Sequence, residues 1–176
     1  IYSIVMVIFI PIMGLNQGCQ PIIGYNYGAK NYERVKKGLL TSLTIAIVIT
    51  SVSFLVIMIF PEQIVSMFSK NDEKLTQIAS SGMRIFLLMI ILAGMQSIIA
   101  TFFQATGRPK ISIFLNMLRQ VILFIPLIII LPYFFELNGV WISGAVSDFI
   151  GFIITFIFLK KELSKLSILH ENKSLI

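Results

Sequence analysis

The chain is poor in charge, cysteine and histidine. Only 12% of its 176 residues are charged, about half the share found in soluble domains. Its single cysteine, Cys19, excludes an intrachain disulfide and a thiolate metal cluster. Cys19 therefore reads as a small buried apolar residue. Its single histidine, His170, has no second ligand type beside it in sequence, which leaves metal binding unsupported. No glycine-rich loop ends in Gly-Lys-Ser/Thr, so nothing points to ATP hydrolysis. No His-Glu-x-x-His and no paired carboxylates occur, and an enzyme needs positioned titratable groups. The chain is expected not to be an enzyme, and no cofactor is expected. The net charge is +6, but the basic residues sit at the ends of apolar runs. A nucleic-acid site would string them along an aromatic-studded groove, so nucleic acid is not an expected partner.

What the chain has is apolar length: 57% of residues are hydrophobic and the mean hydropathy is +0.93. Charges are absent from residues 1–29, 38–61 and 85–107. Residues 111–135 carry only Arg119, and residues 137–159 only Asp148. A spanning helix needs about 20 mostly apolar residues. The runs predict an all-α, polytopic membrane bundle of five transmembrane helices, at about 1–25, 38–60, 77–105, 110–132 and 138–160. Membrane lipid is thus an expected partner. A barrel would need short alternating strands, and no such alternation occurs. Ile1 opens inside an apolar run, which reads as a C-terminal fragment or a truncated product.

The connectors divide the charges. Lys30, Arg34, Lys36, Lys37, Arg108, Lys110, Lys160, Lys161, Lys165 and Lys173 fall on one side, ten in all. Lys70, Lys74 and Arg84 fall on the other, three in all. The richer side is the expected cytoplasmic side. That predicts a multi-pass plasma-membrane chain with its N-terminus outside and a basic cytoplasmic tail, 161–176. The first half of the link at 61–77 is amphipathic and is expected to lie at the surface, and Ser69 or Asn71, followed by Asp72 and Glu73, is placed to cap the next helix.

Several polar residues lie inside the runs. Pro11 and Gly14 are expected to weaken the first span. Asn16, Gln17 and Gln20 follow, with Asn16 and Gln20 on one face. In the third span Ala93, Gln96, Ser97, Ala100, Thr101 and Gln104 form one helical stripe. In the fourth, Ser112, Asn116, Arg119 and Gln120 share a face. In the fifth, Gly144, Ser147, Asp148, Gly151 and Thr155 do so. Such stripes serve close helix packing or line a water-filled path. On the second reading Asn16, Gln17, Gln20, Gln96, Gln104 and Asn116 are substrate-path candidates. Arg119 and Asp148 are the intramembrane charges, about 13 and 18 Å from the cytoplasmic ends of their helices at 1.5 Å per residue. That depth gap is within reach of an arginine stem, so the two are expected to pair.

The run Cys19-Gln20-Pro21-Ile22-Ile23-Gly24-Tyr25-Asn26-Tyr27-Gly28-Ala29-Lys30 ends one helix and leads into a basic segment. Gly24 and Gly28 are expected to take left-handed or crowded backbone positions. Gln20, Pro21, Gly24, Asn26 and Gly28 within it resemble the junction after the second helix of the C-terminal half of multidrug and toxic compound extrusion (MATE) transporters. The bacterial drug/cation antiporter branch is the best fit. Ala105-Thr106-Gly107-Arg108-Pro109-Lys110 and Asn138-Gly139-Val140-Trp141-Ile142-Ser143 extend the resemblance over nearly the whole chain.

The resemblance implies the last five of twelve helices of a two-lobed bundle, an incomplete C-terminal lobe whose partner is the missing N-terminal lobe. It implies export of small organic cations in exchange for H⁺ or Na⁺, by one lobe rocking against the other. The fragment alone would then be inactive. In some members a carboxylate on the third or fourth helix of this lobe takes part in cation coupling. Here both helices lack one, so no coupling role is carried over to Asp148. A lipid-linked oligosaccharide flippase and a non-transporting membrane subunit are the alternatives.

Overall fold

A computed structural model describes residues 2–66 and 73–174. The described helices are α1 (Tyr2–Gly28), α2 (Tyr32–Ile59), α3 (Pro61–Ser66), α4 (Glu73–Phe86), α5 (Ile90–Ala105), α6 (Pro109–Met117), α7 (Phe124–Ile130) and α8 (Pro132–Ser174), the last broken into a short and a long part by a non-helical kink at Glu136. A π-helical segment, Leu118–Leu123, joins α6 to α7. Among the described residues four helices are long and apolar enough to cross a membrane, and a bent fifth span forms if α4 and α5 count as one. The outer surface agrees with that: Val7, Ile10, Ile59, Ile129 and Ile157 each stand 59–63% uncovered. Apolar surface on this scale needs lipid or another apolar partner against it.

Helix α5 is the hub, packing on α1, α2, α6 and α8. Small residues bring its neighbours close. A Cβ on Gly94 would meet the Thr50 methyl at 2.7 Å, and one on Gly151 would meet the Gln96 amide at 2.8 Å. Close backbone approach is how helices associate where lipid offers no hydrophobic drive. One core cluster gathers Ile12, Ile23, Leu39, Phe102, Phe103 and Leu115. A second gathers Ile4, Ile8, Ile57, Met83, Leu87 and Ile90 nearer the other end.

The expected spans are present with altered boundaries. Helix α1 runs through Pro11 and Pro21 without a break, as prolines are tolerated inside membrane helices. Helix α2 starts at Tyr32 rather than residue 38, because Asn31 caps it by accepting from Arg34 N–H. The left-handed residue at this junction is Lys30 (φ 55°), not Gly28. Gly24 is the crowded one: a Cβ there would lie 3.3 Å from Ala105 O. That contact packs two of the recognised motifs together.

The third span bends by 48° between α4 and α5. At the break Leu88 and Ile90 N–H bond back three residues, to Ile85 O and Leu87 O. In the fourth span the π segment intervenes, and Phe124 N–H reaches back five residues to Arg119 O. Pro126, two residues on, has no N–H to donate, so the backbone ladder lacks a bond right beside the π segment.

The helix of the fifth span does not stop at 160: residues 161–174 of the expected basic cytoplasmic tail are helical too. Helix α8 continues to Ser174. Leu159, Glu162 and Leu166 are buried, and Arg108 from the α5–α6 turn pairs with Glu162. The turns just beyond the apolar run are thus held by packing. The caps expected at Ser69, Asn71 and Asp72 lie outside the described residues, as does the side chain of His170.

Helices α4 and α8 interlock reciprocally. The Trp141 ring lies against Gly82, and the Phe86 ring against Gly144. Gly144→Ala is expected to destabilise by about 1–3 kcal/mol through overpacking. Phe86→Leu in the same molecule should recover part of that loss. Thermal midpoints in detergent for both single variants and the pair check this, and strict additivity would show that the rings and glycines do not interlock.

Candidate functional site: an ion pair facing an intramembrane cavity

Two departures from regular helix border one cavity of about 580 Å³. The α4–α5 bend brings Phe86 to it, the π segment brings Arg119 and Gln120, and α8 brings Trp141, Gly144 and Asp148. Val5 of α1, Phe124 and Ile128 of α7, and Val140 and Ser147 of α8 complete the wall. The wall is mainly apolar and aromatic with a few polar groups, the composition of small-molecule sites.

Arg119 Nε donates to Asp148 Oδ1 at 2.6 Å. The side chains are 25% and 11% uncovered. The Arg119 guanidinium carbon also stands 5.9 Å from the centre of the Phe9 ring, in cation–π range. The pairing expected from depth is present. Only one Arg nitrogen meets the carboxylate in this bond, so the pair is not the two-point fork of the strongest Arg–carboxylate contacts. Ser147, one residue before Asp148, returns its hydroxyl to Gly144 O at 2.8 Å.

The other candidates separate. Asn16 Nδ2 donates to Ser97 Oγ at 2.8 Å, and Gln96 Nε2 to Thr155 Oγ1 at 3.2 Å. These bonds tie α1 to α5 and α5 to α8. Their carbonyl oxygens, Asn16 Oδ1 and Gln96 Oε1, have no partner among the described residues. Gln96 is buried against Gly151 and is not part of the cavity wall. Gln17 and Gln104 are uncovered, and Gln20 is half-buried. Asn116 is uncovered and bonds its own helix at Ser112 O, 3.1 Å away. Its expected alignment with Arg119 assumes an unbroken helix, and the π segment changes that register. Among the motif residues, Asn26 donates to Ile22 O at 2.8 Å.

Sequence reasoning missed the cavity's aromatic wall. Phe86, Phe124 and Trp141 look like any other apolar residue in a span. Pro126 is the one local signal for the π segment. No group of three or more His, Cys, Asp or Glu that could hold a metal occurs among the described residues.

The sequence profile of the MatE family matches residues 1–130. The chain belongs to the MatE family. Its relatives include a FAD transporter of Shewanella oneidensis, 27% identical over 81% of this chain and 31% of that protein. They also include the multidrug export protein MepA of Staphylococcus haemolyticus, 27% identical over 82% of this chain and 32% of that one. This MatE chain spans about a third of the length of these curated relatives. Among solved structures it is similar to the MATE multidrug transporter DinF-BH, with TM-score 0.83 and 36% identity. That match covers 90% of this chain and 35% of the other. The MatE chain is therefore a multi-pass, all-helical membrane protein of a transporter family.

Proposed function

We propose that this chain forms most of the C-terminal lobe of a secondary multidrug transporter. The whole protein would export small organic cations across the plasma membrane by antiport with H⁺ or Na⁺. One observation carries the reading: the intramembrane Arg119–Asp148 pair faces an aromatic-walled cavity in a chain of the MatE family. Charged groups at bilayer depth are costly and tend to mark transport pathways. Aromatic faces favour organic cations. The ten-to-three charge asymmetry supports a cytoplasmic C-terminus and an external N-terminus of this segment. A second lobe would complete the path, with lipid around both. The pairing of Arg119 counts against the flippase alternative, since an anionic pyrophosphate calls for unpaired cations along the cavity.

The test is ethidium efflux by the full-length transporter in a strain without its own pumps. Arg119→Gln with Asp148→Asn removes both charges together and leaves no lone ion buried. This double variant should reach the membrane at normal levels. It should lose efflux by about tenfold or more if the pair serves transport, as intramembrane charges usually do. Efflux at the wild-type rate would sink the proposal.

A further inference from the structure

A second concavity lies between α1 and α2, away from the ion pair, with a volume of about 750 Å³. Its floor is glycine. A Cβ on Gly14 or Gly18 would meet no atom within 4 Å, so the floor is open slot rather than helix contact. Ile22 and Ile45 form apolar walls, and Asn26, Arg34 and Lys37 stand at one end. Neither Arg34 nor Lys37 has an ion-pair partner among the described residues. The N-terminus of α2, at Tyr32, adds its positive dipole end to the same mouth.

We propose that this groove seats one anionic phospholipid. Its phosphate meets Arg34, Lys37 and the Asn26 amide, and one acyl chain runs along Gly18 to Gly14. Length supports this occupant. From Asn26 to Gly14 the helix rises about 18 Å at 1.5 Å per residue. Half of a hydrocarbon core is about 15 Å. The slot therefore reaches from the interface to the middle of the bilayer, the span of a single-leaflet lipid. Charge supports it too. Two cations at the mouth favour a headgroup with net negative charge over a zwitterionic one. A second protein helix would have to bury both cations against its own apolar face.

The experiment is native mass spectrometry of the full-length protein released from nanodiscs of equal phosphatidylglycerol and phosphatidylcholine. Wild type should retain phosphatidylglycerol in preference. Arg34→Gln and Lys37→Gln should each lower that retention by about fivefold, the usual effect of one basic residue at an anionic surface. Gly18→Leu should expel either lipid. The two charge variants lie at the surface and decide the matter even if Gly18→Leu misfolds. Equal retention of phosphatidylglycerol by wild type and charge variants overturns the proposal. So does a lipid-free dimer, which would give the groove to a second copy of the chain.

Discussion

Arg119→Ala is expected to lose about 3–5 kcal/mol of stability, because it strands Asp148 inside the membrane without its partner. Asp148 is 8% exposed and its stem is short, so its carboxylate cannot reach the interface. The reverse variant, Asp148→Asn, should cost less. Arg119 is 25% uncovered at its side chain, keeps the Phe9 ring, and has a long stem that can extend toward water. Replacing both by leucine should recover most of the loss, since exchanging an ion pair for packed apolar residues is often neutral or better. Reversible unfolding in bicelles for the two single variants and the double one measures the coupling. If the single effects add, the 2.6 Å contact contributes nothing, and this account of the site fails.

Gly139→Ala should be the most damaging single-methyl change in the chain. Its Cβ would lie 2.5 Å from the backbone carbon and oxygen of Leu131, and 2.6 Å from Pro132 N. Backbone cannot rotate aside as a side chain can. The close approach exists because α8 folds back at Glu136, a non-glycine residue held at φ 49°. A loss of about 3 kcal/mol or more is expected, at the upper end of overpacking effects. Gly151→Ala meets the end of the Gln96 side chain instead and should cost less. Gly28→Ala meets nothing within 4 Å, and should be close to neutral. Thermal midpoints should rise from Gly139→Ala through Gly151→Ala to Gly28→Ala. A Gly139→Ala midpoint equal to that of Gly28→Ala would contradict the packing described.

The spans are legible in the sequence because charge avoids the hydrocarbon core, and the chain has few charges to misplace. The interruptions are not. Leu87-Leu88-Met89 contains no proline or glycine, yet the third span breaks there. The π segment keeps an apolar pattern, with Pro126 downstream as its only marker. The Arg119–Asp148 pair can be anticipated because helical rise converts residue number into depth. The cavity beside it cannot, because its wall is built from aromatic residues that also fill cores. Gln96 and Asn16 qualify as path candidates on polarity alone. In the structure that polarity bridges helices, while Gln17 and Gln104 remain uncovered. The helix beyond Lys160 is hidden by its charges, although Leu159, Leu163 and Leu166 keep helical spacing through them.

Arg108 illustrates how one side chain can act at two moments. During insertion, carboxylates carry little weight in setting topology, so Arg108 counts in full toward holding its loop on the cytoplasmic side of the proposed orientation. Once the helices have assembled, that same guanidinium is neutralised by the buried Glu162 and fastens α8 to the α5–α6 turn. The partner carboxylate lies 54 positions later in the chain, so it leaves the ribosome after Arg108. The order of synthesis therefore separates the topological signal from the structural latch.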